Sequence, residues 1–439
     1  MLTNEDVNSD PVYKTISGLV ENFFENVEKD DFTPGESRVP LMVPSYSSEE
    51  VNQVIESLLS TQITLNQFVS SKVQQFESLW SEYIGSKNGI MVNSGSSANL
   101  IALFILSNPE IKNHIKAGDE IITPATTWHT TVSPIISVGA VPVLVDVNLE
   151  DCNINVDLIE QEIGPKTKAI MPVHLLGNPC QMDKICELAD KHNLFVIEDT
   201  CESHGSEFGS SKCGSIGDIG TFSFFFSHHL TTMEGGMVVT DNEQYAEIAR
   251  IMRSQGVIRN TKNQDKLVKH YRSNPEYDDI DMSFLFANIG FNLRPTEING
   301  GFGIEQFKKF PNFLAQRKKN GEFMQQNLRK YKDFFHLPKS SNEGKAWFCY
   351  PLIVRDDAPF NRSEMVAYLN ECKIETRPIM AGNVSKQPAM KLFSYRNGSL
   401  HNSDIIHKNG FFWGNHQGIR SSHREYILEC VNNFMNKYI

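Results

Sequence analysis

Short apolar runs alternate with helix-period stretches through the middle of this chain, and that rhythm sets the expected fold. The runs fall at residues 89–92, 120–123, 141–145, 169–173 and 194–197. Between them, apolar positions recur at helical spacing over 98–107, 130–137, 157–163 and 182–192. Such alternation predicts an α/β fold, with a mostly parallel sheet flanked by helices on both faces. Residues 222–226 and 236–240 add two further strands with a loop between them. Upstream, 48–60 places Val51, Val54, Ile55, Leu58 and Leu59 at helical spacing behind a Ser and an acidic first turn. The stretch 69–83 repeats the pattern through Val73, Phe76, Leu79, Trp80 and Tyr83. Downstream, a long helix over 312–331 leads to a strand at 347–354 and a helix at 364–371, a smaller α+β unit. Three regions result: an N-terminal extension (1–47), a large domain (48–311) and a small C-terminal domain (312–439). Residues 260–281 are polar and aperiodic, a long excursion that is either mobile or at a subunit contact.

Composition narrows the class. A chain of 439 residues exceeds one compact core. With 40% hydrophobic and 21% charged residues it reads as a soluble globular enzyme. No run approaches the roughly 18 apolar residues of a membrane helix. The acidic start, Met1 to Asp10, lacks the basic and apolar regions of a secretory signal. A net charge of −12 disfavours nucleic acid as a partner, while leaving room for a local basic pocket. The eight cysteines show no CxxC spacing and read as free thiols of a cytoplasmic protein.

The chemistry-bearing side chains gather at the carboxyl ends of the expected strands, where open α/β sheets bind ligands. Asn93-Ser94-Gly95-Ser96-Ser97-Ala98 follows one strand and opens a helix. Small residues there let backbone N–H groups meet an anion; the same residues also suit an ordinary capped turn. In Glu198-Asp199-Thr200-Cys201-Glu202, a carboxylate at the strand end either caps a helix or holds a cofactor's ring nitrogen protonated. The most informative stretch runs from Ser223-Phe224-Phe225-Phe226-Ser227-His228-His229 to Met233-Glu234-Gly235-Gly236. Adjacent histidines on an extended chain face opposite ways, so no metal held by both is expected. His174 and His204 also follow strand ends, where packing and substrate contact both stay open.

Together these motifs resemble the DegT/DnrJ/EryC1/StrS family of vitamin-B6-dependent sugar-nucleotide aminotransferases, from about Pro44 to the C-terminus. The resemblance implies the aspartate-aminotransferase-like (type I) fold of PLP-dependent enzymes. It implies that Gly95 and Ser96 bind the phosphate of pyridoxal or pyridoxamine 5′-phosphate (PLP or PMP), with the Ser223 hydroxyl beside it. Trp128, in Thr126-Thr127-Trp128-His129, would stack on the ring; Asp199 would pair with the ring nitrogen, and Glu202 would lie next to the ring. Gly290-Phe291-Asn292-Leu293-Arg294 matches a motif whose Asn touches the phosphate in a neighbouring subunit, implying a homodimer with shared sites.

One position departs from the family. Five residues after Ser223, where the family carries lysine, stands His228, and no lysine lies between Ser223 and Gly236. An imidazole has no primary amine to condense with an aldehyde. The coenzyme would therefore be held noncovalently, with His228, of ordinary pKa about 6.5, left as a proton carrier. This exchange resembles the 3-dehydratase branch of the family. It implies removal of the C3 hydroxyl from a nucleotide-diphosphate-linked 4-keto-6-deoxyhexose, with ammonia released and glutamate as amino donor. Arg253, Arg259, Arg294 and Arg377 are candidates to meet the diphosphate, or else surface ion-pair partners. A second histidine-bearing branch carries a [2Fe–2S] cluster; with no cysteine between Cys213 and Cys349, no iron–sulfur cluster is expected here. A sugar-nucleotide 4-aminotransferase and a non-catalytic sugar-nucleotide-binding sensor are the competing readings.

Overall fold

The computed structural model describes residues 4–27, 32–61, 63–64, 71–339 and 344–439. At its centre lies an eight-stranded sheet in the order β1 (Asn88–Val92), β9 (Gly236–Thr240), β8 (Ile219–Ser223), β5 (Phe195–Asp199), β4 (Thr167–Ile170), β2 (Glu120–Pro124), β3 (Val141–Val145) and β13 (Arg396–Asn397). Only β9 runs against its neighbours, pairing antiparallel with both β1 and β8. The central strands are buried on both faces, which is why they read as continuous apolar runs. A two-residue hairpin, β6 (Glu207–Phe208) with β7 (Ser211–Lys212), lies outside this sheet.

One face carries the helices Gly95–Leu106 and Glu243–Arg253, packed around Ile101, Ile105, Ile197 and Val238. The other carries Lys72–Ile84 and Glu297–Leu328, around Phe76, Trp80, Phe222, Phe224 and Phe310. Each of these fully buried side chains contributes about 1.5–3 kcal/mol relative to exposure. The small domain is a four-stranded antiparallel sheet, β10 (Phe335–His336), β11 (Cys349–Val354), β14 (Gly410–Gly414) and β12 (Thr376–Pro378). Its core includes Tyr350, Trp413, Leu369 and Val431. No helix among the described residues is long and apolar enough to cross a membrane.

Several expectations shift. The helix expected at 312–331 begins at Glu297 and runs through Pro311 to Leu328, so it bridges the two domains rather than opening the second. Proline inside a helix forfeits a bond at about 3 kcal/mol; here Phe310, Phe307 and Leu314 around it are packed into the aromatic core. The strand expected at 222–226 ends at Ser223, which frees the following residues to form the site loop. Val39, assigned to the N-terminal extension, pairs with Ile374 and sits in the small-domain core. Val69 lies outside the described residues, and its helix starts at Lys72.

The helix Ser48–Leu59 half-buries Val51, Val54 and Ile55 and turns its last two leucines outward. Leu58 and Leu59 are 48% and 42% exposed, whereas Glu50 and Glu56 are buried. Both acids are matched: Glu50 by Lys309 at 2.7 Å and the Gln306 amide at 2.8 Å, Glu56 by Lys72 at 3.3 Å. Residues 260–281 hold a short helix, Gln264–Arg272, with no buried side chain.

Candidate active site

A cavity of about 480 Å³ opens between the large sheet and the small domain. It is lined at once by Gly95, Ser96, Trp128, Asp199, Glu202, Ser223, His228 and Arg377, eight of the residues singled out from the sequence. The cause is topological: β5 and β8 end side by side, and the helix after β1 starts against them.

The helix N-terminus makes an anion cradle. Ser94 caps it, its side chain accepting from the Ser97 amide at 3.1 Å, which leaves the first-turn amides of Gly95 and Ser96 for a ligand. A Cβ on Gly95 would stand 2.3 Å from the Ser223 Cβ, so only glycine lets this helix end lie flush against the Ser223 hydroxyl. On the cavity floor, three donors fix the Asp199 carboxylate: Asn99 Nδ2 and Thr131 Oγ1 at 2.8 Å each, and the Cys201 amide at 3.2 Å. Asn99 is itself oriented by accepting from Thr221 Oγ1 at 2.6 Å. Asp199 is therefore no helix cap; it is a rigid acceptor at the end of β5. Trp128 stands 58% exposed on the rim, a large aromatic face open to the cavity.

Those features fit a vitamin-B6 phosphate. An anion cradle, an aromatic platform and a fixed carboxylate are set around one cavity, matching the three chemically distinct parts of that coenzyme.

His228 follows a tight turn, its amide donating to the Phe225 carbonyl at 3.0 Å. Nδ1 is buried without a hydrogen-bond partner, while the residue as a whole stays half-open to the cavity. Nε2 is thus the nitrogen left to meet a ligand. Burial first, and then the Arg317 guanidinium, push its pKa down to about 3, well below the ordinary value expected from sequence. The ring is a neutral imidazole at neutral pH. His229 points elsewhere, bonding Ala346 O through Nε2 at 3.1 Å. His204 is buried among Trp80, Phe222 and Phe224, and His174 bonds Glu198 at 2.9 Å, so both pack rather than face the cavity.

Glu202 accepts from the Leu176 amide at 3.0 Å. Burial, reinforced by the nearby Asp199 charge and opposed by that amide, pushes its pKa up to about 8. It therefore carries a proton at neutral pH and can donate a hydrogen bond. A raised carboxyl pKa stabilises the fold below its unfolded value, and that stability is lost as pH rises through the folded value. In the coenzyme-free protein, Glu202→Gln should flatten the fall in stability between about pH 4.5 and pH 8. Thermal melts of both proteins across that window check this; parallel curves contradict it.

Arg253 is a correction. It is 3% exposed, ion-paired with Glu77 at 2.6 Å and bonded to Met91 O, in a separate depression lined by Arg250 and Lys262. Its charge is already matched far from the cavity. Arg259 lies over Phe284, also outside it. Arg294 donates to the exposed Asn292 at 3.1 Å, and neither lines this chain's own cavity. Sequence reasoning missed Leu41, Met42, Arg317 and Phe348, which do line it. Among the described residues no group of three or more His, Cys, Asp or Glu is placed to hold a metal ion.

Comparison with known proteins identifies the family. The model of the DegT/DnrJ/EryC1/StrS aminotransferase family matches residues 44–432. The chain is 37% identical, over 86% of its length and 94% of the relative's, to a GDP-4-keto-6-deoxy-D-mannose 3-dehydratase of Yersinia pseudotuberculosis. A solved structure of the E. coli GDP-4-keto-6-deoxy-D-mannose-3-dehydratase with bound hydrated PLP superposes with a TM-score of 0.81 at 34% identity, covering 89% of this chain and 98% of that one. Another, a GDP-4-keto-6-deoxymannose-3-dehydratase with a trapped PLP-glutamate geminal diamine, gives 0.79 at 33% identity over 89% and 99%.

Proposed function

The chain belongs to the DegT/DnrJ/EryC1/StrS aminotransferase family, and on that premise we propose that it is a PLP/PMP-dependent 3-dehydratase of a GDP-4-keto-6-deoxymannose-like sugar nucleotide. The observation that carries this reading is His228 on the cavity wall, with no lysine among the described residues that line it. A family cavity without a tethering amine retains the electron sink and loses the covalent anchor, the combination that elimination at C3 requires.

When bound, the coenzyme supplies an amine to join the C4 ketone and an aromatic ring that accepts electrons. The chain's residues do the rest. Gly95 and Ser96 amides and the Ser223 hydroxyl receive the phosphate, and Trp128 covers the ring. Asp199 holds a proton at the ring nitrogen. Glu202, protonated, donates a hydrogen bond beside the ring. His228 Nε2 would take a proton from the coenzyme's C4′ carbon and deliver it to the departing C3 hydroxyl, which leaves as water; an imidazolium whose pKa is lowered this far is a strong acid, suited to that second task. Arg377 on β12 lines the cavity and would meet the diphosphate. Glutamate serves as amino donor, as the PLP-glutamate adduct of a relative supports.

The working unit is a homodimer with shared sites. Asn292 faces outward beside Phe284, Phe286 and Ile289, which are 64%, 59% and 64% exposed, and Leu58 and Leu59 add apolar surface. Outward apolar side chains of this size mark a contact surface. Eight free thiols fit a reducing cytoplasm.

The test incubates the protein with PLP, glutamate and GDP-, CDP- or dTDP-linked 4-keto-6-deoxyhexoses. A 3-deoxy sugar with ammonia from the GDP substrate is expected. A 4-amino sugar without ammonia overturns the reading in favour of an aminotransferase, and binding without product in favour of a sensor.

A further inference from the structure

Arg317 lies in the helix Glu297–Leu328 that joins the two domains, and it is 3% exposed. Its identified hydrogen-bond partners are all backbone carbonyls. Nη1 donates to Phe348 O at 2.9 Å and to Asn415 O; Nη2 reaches His228 O at 3.5 Å. Nε is buried with no hydrogen-bond partner. Burying a cation without a counter-charge is costly, and replacing it by an apolar side chain of similar size usually costs less. A charge kept in such a place points to a use for the charge.

The three carbonyls come from three segments: the His228 loop of the large domain, the residue before β11, and the residue after β14. Asn415 returns the contact, its Nδ2 donating to Arg317 O and to Trp347 O at 3.1 Å each. One guanidinium thus joins the candidate base to the small domain.

We propose that Arg317 positions His228, tying its loop to the small domain and setting a fixed positive charge beside the imidazole. The titratable groups around that ring are His204, whose ring centroid is 5.8 Å away, His229 on the same loop, and, around the cavity, Asp199, Cys201, Glu202, Glu234, Cys349 and Arg377. His204 and His229 are themselves held neutral, by burial above all. Besides burial, Arg317 is the group that acts on His228.

The inference rests on His228 as proton carrier, so its first readout needs neither coenzyme nor substrate. In ¹⁵N-histidine NMR of the coenzyme-free protein, the wild-type His228 ring should stay neutral over the whole pH range in which the protein is folded. Arg317→Met should introduce a protonation step at the acidic end of that range, still below the ordinary histidine value because burial, the larger cause, remains. Arg317→Lys keeps the charge and loses the fork: its ring should stay neutral, while kcat on the keto sugar falls about 10- to 100-fold at unchanged KM. A ring that stays neutral in R317M overturns the proposal, as does native kcat in R317K. If R317M fails to fold, the R317K split between kcat and KM decides. Should wild-type protein release no ammonia while R317M still shows the new protonation step, the dehydratase reading falls and the positioning of His228 stands.

Discussion

Replacing His228 by Asn should lower turnover of the keto sugar by about 10²- to 10⁴-fold, the contribution of one well-placed acid–base group. Asparagine has similar bulk and can hydrogen-bond, but it cannot carry a proton. Coenzyme binding should survive, because the cradle of Gly95, Ser96 and Ser223, the Asp199 carboxylate and the Trp128 platform are contributed by other elements. A direct titration with PMP checks that half. The pH profile sharpens the prediction. An imidazole pushed down to about 3 by burial and Arg317 is already deprotonated throughout the mildly acidic range. The kcat/KM of the wild type should therefore show no acidic limb near the ordinary histidine value of about 6.5. A limb there, abolished in His228→Asn, would mean that the imidazole is much less desolvated than this site makes it.

Asp199→Asn should cost about 10²- to 10³-fold in kcat, on the scale of removing a preorganised electrostatic partner, and should weaken coenzyme binding as well. The loss has two parts. The negative charge that holds a proton on the ring nitrogen disappears, so the ring draws electrons less strongly. The supporting network also misfits: Asn99 Nδ2 and Thr131 Oγ1 both donate to Oδ2. An amide nitrogen turned toward them presents a donor to donors, so the amide must turn its oxygen there and its NH₂ toward the Cys201 amide instead. Asp199→Glu would not rescue this, since the longer side chain leaves the network. Single-turnover kinetics with PMP-loaded protein separates slower chemistry from weaker binding; unchanged single-turnover rates would contradict the assignment.

Much of the site was legible because it is built from strand ends. Gly95, Asp199 and Ser223 each sit where an apolar run gives way to small or charged residues, and β1, β5 and β8 bring those three points together. His228 was legible as an anomaly in a lysine position. Arg317 was not: a lone Arg in a polar-looking helix carries no local sign that it will be buried under three carbonyls from distant segments. Leu41 and Met42 were hidden likewise, since nothing near them in the chain announces that Val39 will pair with Ile374 and carry them to the cavity. Arg253 was misread for the converse reason, its partner Glu77 lying far away in sequence. In the helix Ser48–Leu59, the apolar spacing marked a helix but not which side would be covered. Its acids found buried partners in Lys72, Gln306 and Lys309, and its leucines turned outward.

The attachment of the coenzyme can be read from intact mass after borohydride reduction of the PLP-loaded protein. The wild type should keep the mass of its bare polypeptide, and His228→Lys should gain the mass of one reduced coenzyme. A coenzyme-sized increment on the wild-type chain would contradict the account at its root.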